Sequence, residues 1–257
     1  MMGKVVAIAN QKGGVGKTTT AINLAAGLTL YQKQVLIVDC DPQGNATSGL
    51  GLTENGLNLY EILIGKISIK NAIKTTCFKQ LHCITAHPDL AGIEIELANV
   101  SKRESYLNRY ISLLKSDYDF IFLDCPPSLG ILTLNALTAA DTVLIPVQCE
   151  YYALEGLTRL LRTIKMVKQR FNPSLKVEGF LLTMFDRRNL LSYQIEKEVK
   201  KHFKNYTFDT IITRNVRLSE APSHGLPIFL YDAKCNGAKQ YRQLAEEFLK
   251  RQGAKHG

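Results

Sequence analysis

A chain of 257 residues with 46% hydrophobic and 21% charged side chains, 18 Gly, 8 Pro and no Trp has an ordinary globular composition, which excludes collagen, low-complexity disorder and a disulfide-framed mini-protein. Its formal charge of +9 is uneven: residues 1–158 hold 12 basic and 14 acidic side chains, whereas residues 159–257 hold 20 and 9. That basic excess points to a polyanionic partner, and no apolar run approaches the roughly 18 residues of a bilayer span.

In chain order, strands are expected at Val5–Ala9, Val35–Val38, Leu81–Thr85, Phe120–Leu123, Val143–Val147, Val177–Thr183 and Thr210–Ile212. Most are apolar on both faces, the mark of parallel strands covered on both sides, and helices fill most of the gaps. The fold class expected is α/β: a doubly wound, mostly parallel sheet with helices on both faces, forming a single domain over 1–257. Ser192–Lys204 reads as a helix with Ile195, Val199 and Phe203 on one face and a lysine stripe opposite, Lys197, Lys200, Lys201 and Lys204. Such a stripe suits phosphates without reading bases. Ala238–Arg251 reads as a packing helix. The N-terminus reaches Lys12 after one short apolar run, unlike a secretory signal, so a cytoplasmic location is expected.

The most informative stretch joins the first strand to a helix expected over Thr20–Leu30: Asn10-Gln11-Lys12-Gly13-Gly14-Val15-Gly16-Lys17-Thr18-Thr19. Its glycines let backbone N–H groups converge on phosphate oxygens, Lys17 can reach the β and γ oxygens, and the Thr18 hydroxyl can ligate Mg²⁺. Where a standard P-loop carries Gly this chain has Gln11, followed by an additional lysine, Lys12. Lys12 is either a solvated loop residue or a second cation aimed at the transferring phosphate. Two further strands end in carboxylates, Asp39-Cys40-Asp41-Pro42 and Asp124-Cys125-Pro126-Pro127. In open α/β sheets ligands bind beyond these strand ends, which makes Asp124 the candidate for holding Mg²⁺ and Asp41 the candidate for orienting the attacking water. Asp39 is equally suited to hydrogen bonding within the loop. The six cysteines show no CxxC spacing, and Cys77, Cys83, His82 and His87 are the one cluster with zinc-ligand residue types. Reduced, buried thiols are the expectation.

The loop, the two carboxylate motifs and the strings Pro146-Val147-Gln148-Cys149-Glu150 and Asn215-Val216-Arg217-Leu218-Ser219-Glu220-Ala221-Pro222 together resemble the deviant Walker A ATPases of the ParA/Soj partition group, over about residues 4–252. The resemblance implies a Mg-dependent ATP hydrolase that binds ATP through Lys12, Gly13, Gly14, Val15, Gly16, Lys17, Thr18 and Thr19, with Thr213 and Asn215 at the base. Lys12, Lys17 and Asp41 are then the catalytic residues. The resemblance also implies an ATP-dependent sandwich homodimer in which Lys12 reaches the partner's nucleotide. Such a dimer binds double-stranded DNA non-specifically through Arg188, Arg214 and Arg217 with Lys197, Lys200 and Lys201 added, is stimulated by a ParB-type partner, and is nucleoid-associated. The chain departs from the family at Thr213, where proline is usual, and over Asp186-Arg187-Arg188-Asn189-Leu190. The alternative is a MinD-like membrane-positioning ATPase, against which the tail counts: it carries Glu246 and Glu247 and ends Lys255-His256-Gly257.

Overall fold

A computed structural model describes residues 2–150 and 153–253, so the tail from 254 onward lies outside the described residues. Seven strands, β1 (Lys4–Ile8), β2 (Val35–Asp39), β3 (Ile73–Thr75), β4 (Leu81–Ile84), β5 (Phe120–Asp124), β6 (Thr142–Gln148) and β7 (Lys176–Thr183), form one sheet in the order β3-β4-β2-β5-β1-β6-β7. Every pairing is parallel except β3 with β4. The helices are α1 (Lys17–Thr29), α2 (Asn45–Gly49), α3 (Leu59–Leu63), α4 (Ile93–Glu96), α5 (Tyr106–Ile111), α6 (Ile131–Ala139), α7 (Ala153–Arg170), α8 (Leu190–Phe203), α9 (Val216–Glu220), α10 (Ile228–Tyr231) and α11 (Asn236–Gly253).

The central strands are largely apolar because both faces of the sheet are covered. Alternate residues of β1 enter opposite cores: Val5 and Ala7 join one cluster, which includes residues of α6, α7 and α8, while Val6 and Ile8 join the other, built with α1 and α11. The expected packing helix is α11, whose stripe of Tyr241, Leu244, Ala245 and Phe248 is buried, with Phe248 packing edge-on against Phe120 at 5.3 Å between centroids. That apolar face is therefore covered within the chain. Among the described residues no helix is long and apolar enough to cross a membrane.

Two elements differ from the sequence reading. Thr210–Ile212 is not a strand; only Thr207 and Thr213 form single bridges, to Phe180 and Phe185. The reason is competition for donors: the backbone N–H groups of Asp209 and Thr210 both go to the Glu247 carboxylate on α11, at 2.9 Å each, instead of to a neighbouring strand. Conversely β3 is a three-residue edge strand, half-exposed and carrying Lys74, too short and polar to show as an apolar run.

Candidate functional site

The β1–α1 loop is held from both ends. Asn10 donates from Nδ2 to the Pro146 carbonyl at 2.6 Å and accepts the Lys12 N–H at 3.1 Å, while the Thr183 hydroxyl donates to the Val15 carbonyl at 2.8 Å. Gly14 and Gly16 take φ of 73° and 87°, a left-handed backbone that L side chains adopt at a cost. A Cβ built on Gly13 or Gly14 meets nothing within 4 Å, so the loop opens on free space. Gly13, Gly14, Gly16, Lys17, Thr18 and Thr19 all line that space, a cavity of about 540 Å³, within the usual range for a small-molecule site. Val15 lies outside the lining, its side chain buried and its carbonyl engaged by Thr183.

Lys17 opens α1 and donates to the Lys12 carbonyl at 3.3 Å. Burial lowers its pKa below the ordinary lysine value, opposed by the negative charge of Asp124 and of Asp41. Asp124 ends β5 directly opposite Asp39 of β2 and Ile8 of β1. It is fully buried, and neither carboxylate oxygen has a hydrogen-bond partner among the described residues. Burial pushes its pKa well above the carboxylate range, Asp39 adds to the rise, and the Thr18 hydroxyl and Lys17 pull against it. An unsatisfied buried carboxylate is costly in an apolar setting. Here it lies beside a threonine hydroxyl and a lysine at the floor of the glycine loop, so the donor set fits a hard, oxygen-seeking cation such as Mg²⁺.

The other two carboxylates have separate tasks. Asp41 lines the cavity and accepts the Gln43 N–H at 3.0 Å, fixing the turn that leads to α2. Asp39 is a hydrogen-bond hub: it accepts the Asp41 N–H at 3.2 Å, and both the N–H and the hydroxyl of Thr47 at 2.8 Å each. The Thr47 hydroxyl in turn accepts the Ala86 N–H at 3.0 Å. Burial raises the Asp39 pKa to about 6 in spite of these bonds.

Lys12 does not project freely. Its ammonium is ion-paired with Glu150, whose other oxygen takes a hydrogen bond from Gln148. Across the cavity, Thr213, Arg214 and Asn215 form the far wall with Pro222 of the segment after α9. The Asn215 carbonyl oxygen caps α9 by accepting the Arg217 N–H at 2.9 Å, which leaves its NH₂ as the group it can offer the cavity.

The arginines divide. Arg188 and Arg214 line a second cavity of about 680 Å³ together with Arg187 and Lys239. Arg188 is 87% exposed and bidentate on Asp186, at 3.0 and 2.9 Å. Arg217 is drawn away from that cavity by Glu220 at 2.9 Å and Asp232 at 3.6 Å. On α8, Lys200 pairs with Glu196 at 2.7 Å and Lys201 lies 3.8 Å from Glu198, so of the stripe Lys197 and Lys204 have no ion pair among the described residues. The cysteine–histidine cluster does not gather: Cys83 is buried, His82 bonds the Tyr118 hydroxyl at 2.8 Å, and among the described residues no group of three such side chains could hold a metal ion.

A family model described as an AAA domain matches residues 3–177. The chain is 54% identical to the sporulation initiation inhibitor protein Soj of Bacillus subtilis (strain 168) over 248 residues, which is 96% of this chain and 98% of that protein. It is 53% identical to the chromosome-partitioning ATPase Soj of Treponema pallidum, covering 98% and 99%. The chain belongs to the Soj/ParA family of chromosome-partitioning ATPases. Among solved structures, the cobyrinic acid a,c-diamide synthase of Mycobacterium smegmatis with bound ADP and magnesium superposes with a TM-score of 0.86 at 38% identity, covering 99% of this chain and 97% of that one. The cell division ATPase MinD of Pyrococcus furiosus gives 0.82 at 27% identity, covering 97% and 99%. The P-loop architecture of this ParA-family chain is thus shared with nucleotide-bound enzymes.

Several residues escaped the sequence reading. Asn10 opens the loop stretch and Glu150 closes one of the family strings, but residue type alone assigns neither its role of holding the loop or Lys12. Lys239 joins the second cavity, and Gln240 meets Thr213, only through the approach of α11, 25 or more residues away in sequence; Arg187, read from the sequence as the alternative to Arg188, lines the same cavity as its neighbour.

Proposed function

We propose that this chain is a Mg-dependent ATP hydrolase that forms an ATP-dependent homodimer, binds double-stranded DNA without sequence preference, and moves chromosome or plasmid cargo under stimulation by a ParB-type partner at the nucleoid. The observation that carries the catalytic part is the buried Asp124 beside Thr18 and Lys17 at the floor of the glycine loop, its carboxylate oxygens without a hydrogen-bond partner among the described residues. Thr18 and Asp124 would hold Mg²⁺, which supplies neutralisation of phosphate charge when bound. Backbone N–H groups of Gly13, Gly14, Val15 and Gly16, and of Lys17 and Thr19 at the start of α1, would donate to the phosphates. Lys17 places a cation on the β and γ oxygens. Asp41, at the cavity edge, orients the attacking water and accepts its hydrogen bond. Thr213 and Asn215 bound the base.

For Lys12 to serve a partner's nucleotide it must leave Glu150, so dimer formation exchanges an intrachain ion pair for an intermolecular contact with phosphate. Arg188 and Arg214, with Arg187 and Lys239 beside them, form the DNA surface best supported by geometry; Arg217, Lys200 and Lys201 contribute less because acidic neighbours already neutralise much of their charge, while Lys197 keeps its charge unpaired among the described residues. No observation favours the membrane-positioning alternative, since the apolar stripe of α11 is buried.

The test is sedimentation of wild type and Lys12→Ala with random-sequence DNA and ATP, ADP or no nucleotide, alongside Mg-dependent phosphate release. Wild type should dimerise and bind DNA with ATP alone, and the variant should do neither. A variant that dimerises on ATP like wild type removes the role of Lys12, and absence of Mg-dependent hydrolysis removes the reading as a whole.

A further inference from the structure

The wall between the two cavities is a single strip of backbone. Thr213 and Arg214 line both the loop cavity and the basic cavity, and Asn215 lines the first. On one side this strip is tied to the chain after β7: Phe185 N–H donates to the Ile212 carbonyl and Arg214 N–H to the Phe185 carbonyl, both at 3.1 Å. On the other side, among the described residues, the link is one side chain. Gln240 of α11 accepts the Thr213 N–H at 3.0 Å and the Thr213 hydroxyl at 3.1 Å on the same oxygen, Oε1. Helix α11 is itself anchored on α1, the helix that begins at the phosphate loop, by Tyr241, which reaches Thr20 at 3.3 Å between hydroxyls.

We propose that Gln240 is a positioning residue for the nucleotide, fixing the Thr213–Asn215 wall relative to the phosphate loop, and that the same bond sets the backbone from which Arg214 lines the basic cavity. This rests on the nucleotide reading above. The chemistry is specific to an acceptor at position 240. A glutamine oxygen serves two donors at once, and Thr213 supplies both, whereas proline at 213 would supply neither. Truncating Gln240 releases the strip on the α11 side and orphans the Thr213 donors. Because Arg214 rides on the same strip, its guanidinium loses its fixed place in the basic cavity at the same time.

The experiment uses the full chain with a fluorescent N-methylanthraniloyl ATP as nucleotide probe and a 60-base-pair random duplex as polyanion. Gln240→Ala is expected to weaken nucleotide binding about tenfold, the size expected for the removal of two hydrogen bonds, with a melting temperature close to wild type. Gln240→Glu keeps an acceptor for both Thr213 donors, so it should restore nucleotide binding while weakening the duplex, because it puts a negative charge among Arg187, Arg214 and Lys239. Thr213→Pro should reproduce the nucleotide defect of Gln240→Ala, and adding Gln240→Ala to it should cost nothing more, since the bond is already gone. If Gln240→Ala does not fold, Thr213→Val, which removes the hydroxyl and keeps the N–H, is expected to give a smaller loss of about threefold. Wild-type nucleotide affinity in Gln240→Ala, no rescue by glutamate, or fully additive defects in the double variant would each overturn the proposal. Failure of the wild-type chain to bind the ATP probe is a different result and overturns the nucleotide reading itself.

Discussion

The ammonium of Lys12 is ion-paired with the carboxylate of Glu150 in the same chain, not directed outward from the glycine loop. The two side chains are 35% and 45% exposed, so the pair is worth about 0.2–1 kcal/mol. A contact of that size holds the lysine without trapping it. Glu150→Gln should therefore lower the ATP concentration needed for dimerisation by up to about fivefold, as read by sedimentation across an ATP titration. An unchanged midpoint would mean that the pair does not compete with assembly.

Burial of Asp39 at the floor of the site, with a smaller contribution from the charge of Asp41, should make the nucleotide-free protein less stable as pH rises. Asp39 has a folded pKa of about 6 against an ordinary value of 3.8, so between these values the folded form retains a proton that the unfolded chain has released. Stability from this group is present at low pH and declines as pH rises through that window, by up to about 3 kcal/mol. Asp39→Asn keeps an acceptor for Thr47 and cannot ionise. Its melting temperature should gain on wild type between pH 4.5 and 7, and a constant difference across that range would contradict the argument.

Lys17 separates function from stability. Burial already disfavours its charged form, so Lys17→Met should leave the melting temperature unchanged or higher, while ATP hydrolysis falls by about 100-fold or more, as for loss of a cation placed on developing phosphate charge. A large drop in melting temperature would mark Lys17 as structural.

Arg188→Ala with Arg214→Ala should weaken binding of random DNA and flatten its salt dependence, by about one unit of logarithmic slope for each phosphate no longer neutralised. Arg217→Ala should change that slope less, because Glu220 and Asp232 already hold its guanidinium. Slopes measured with ATP present decide between them.

Next to Gly49 and Leu226, which line the loop cavity, two backbone segments cross closely. A Cβ on Gly225 would lie 2.5 Å from the Gly51 Cα, and Gly225 also has φ of 65°. Gly225→Ala should destabilise the chain by about 2–4 kcal/mol and weaken nucleotide binding through displaced Ser48 and Pro222, which calorimetry and nucleotide titration would report together. A neutral substitution would show that the crossing yields easily.

Sequence by itself determined the parallel sheet, because two-sided apolar strands have no other way to be buried, and it determined the phosphate loop, because glycines, lysine and threonine act through local backbone geometry. It also placed Asp39, Asp41 and Asp124 at strand ends, where a neighbouring register brings them together. Tertiary structure alone decided which charges are still available. Lys12 found Glu150 across 138 residues, Arg217 was claimed by Glu220 and Asp232, and Thr210 gave its N–H to Glu247 and so left the sheet. Periodicity reports which face of an element is buried, but the partner of a polar group is fixed by where distant helices pack, and that depends on the whole core.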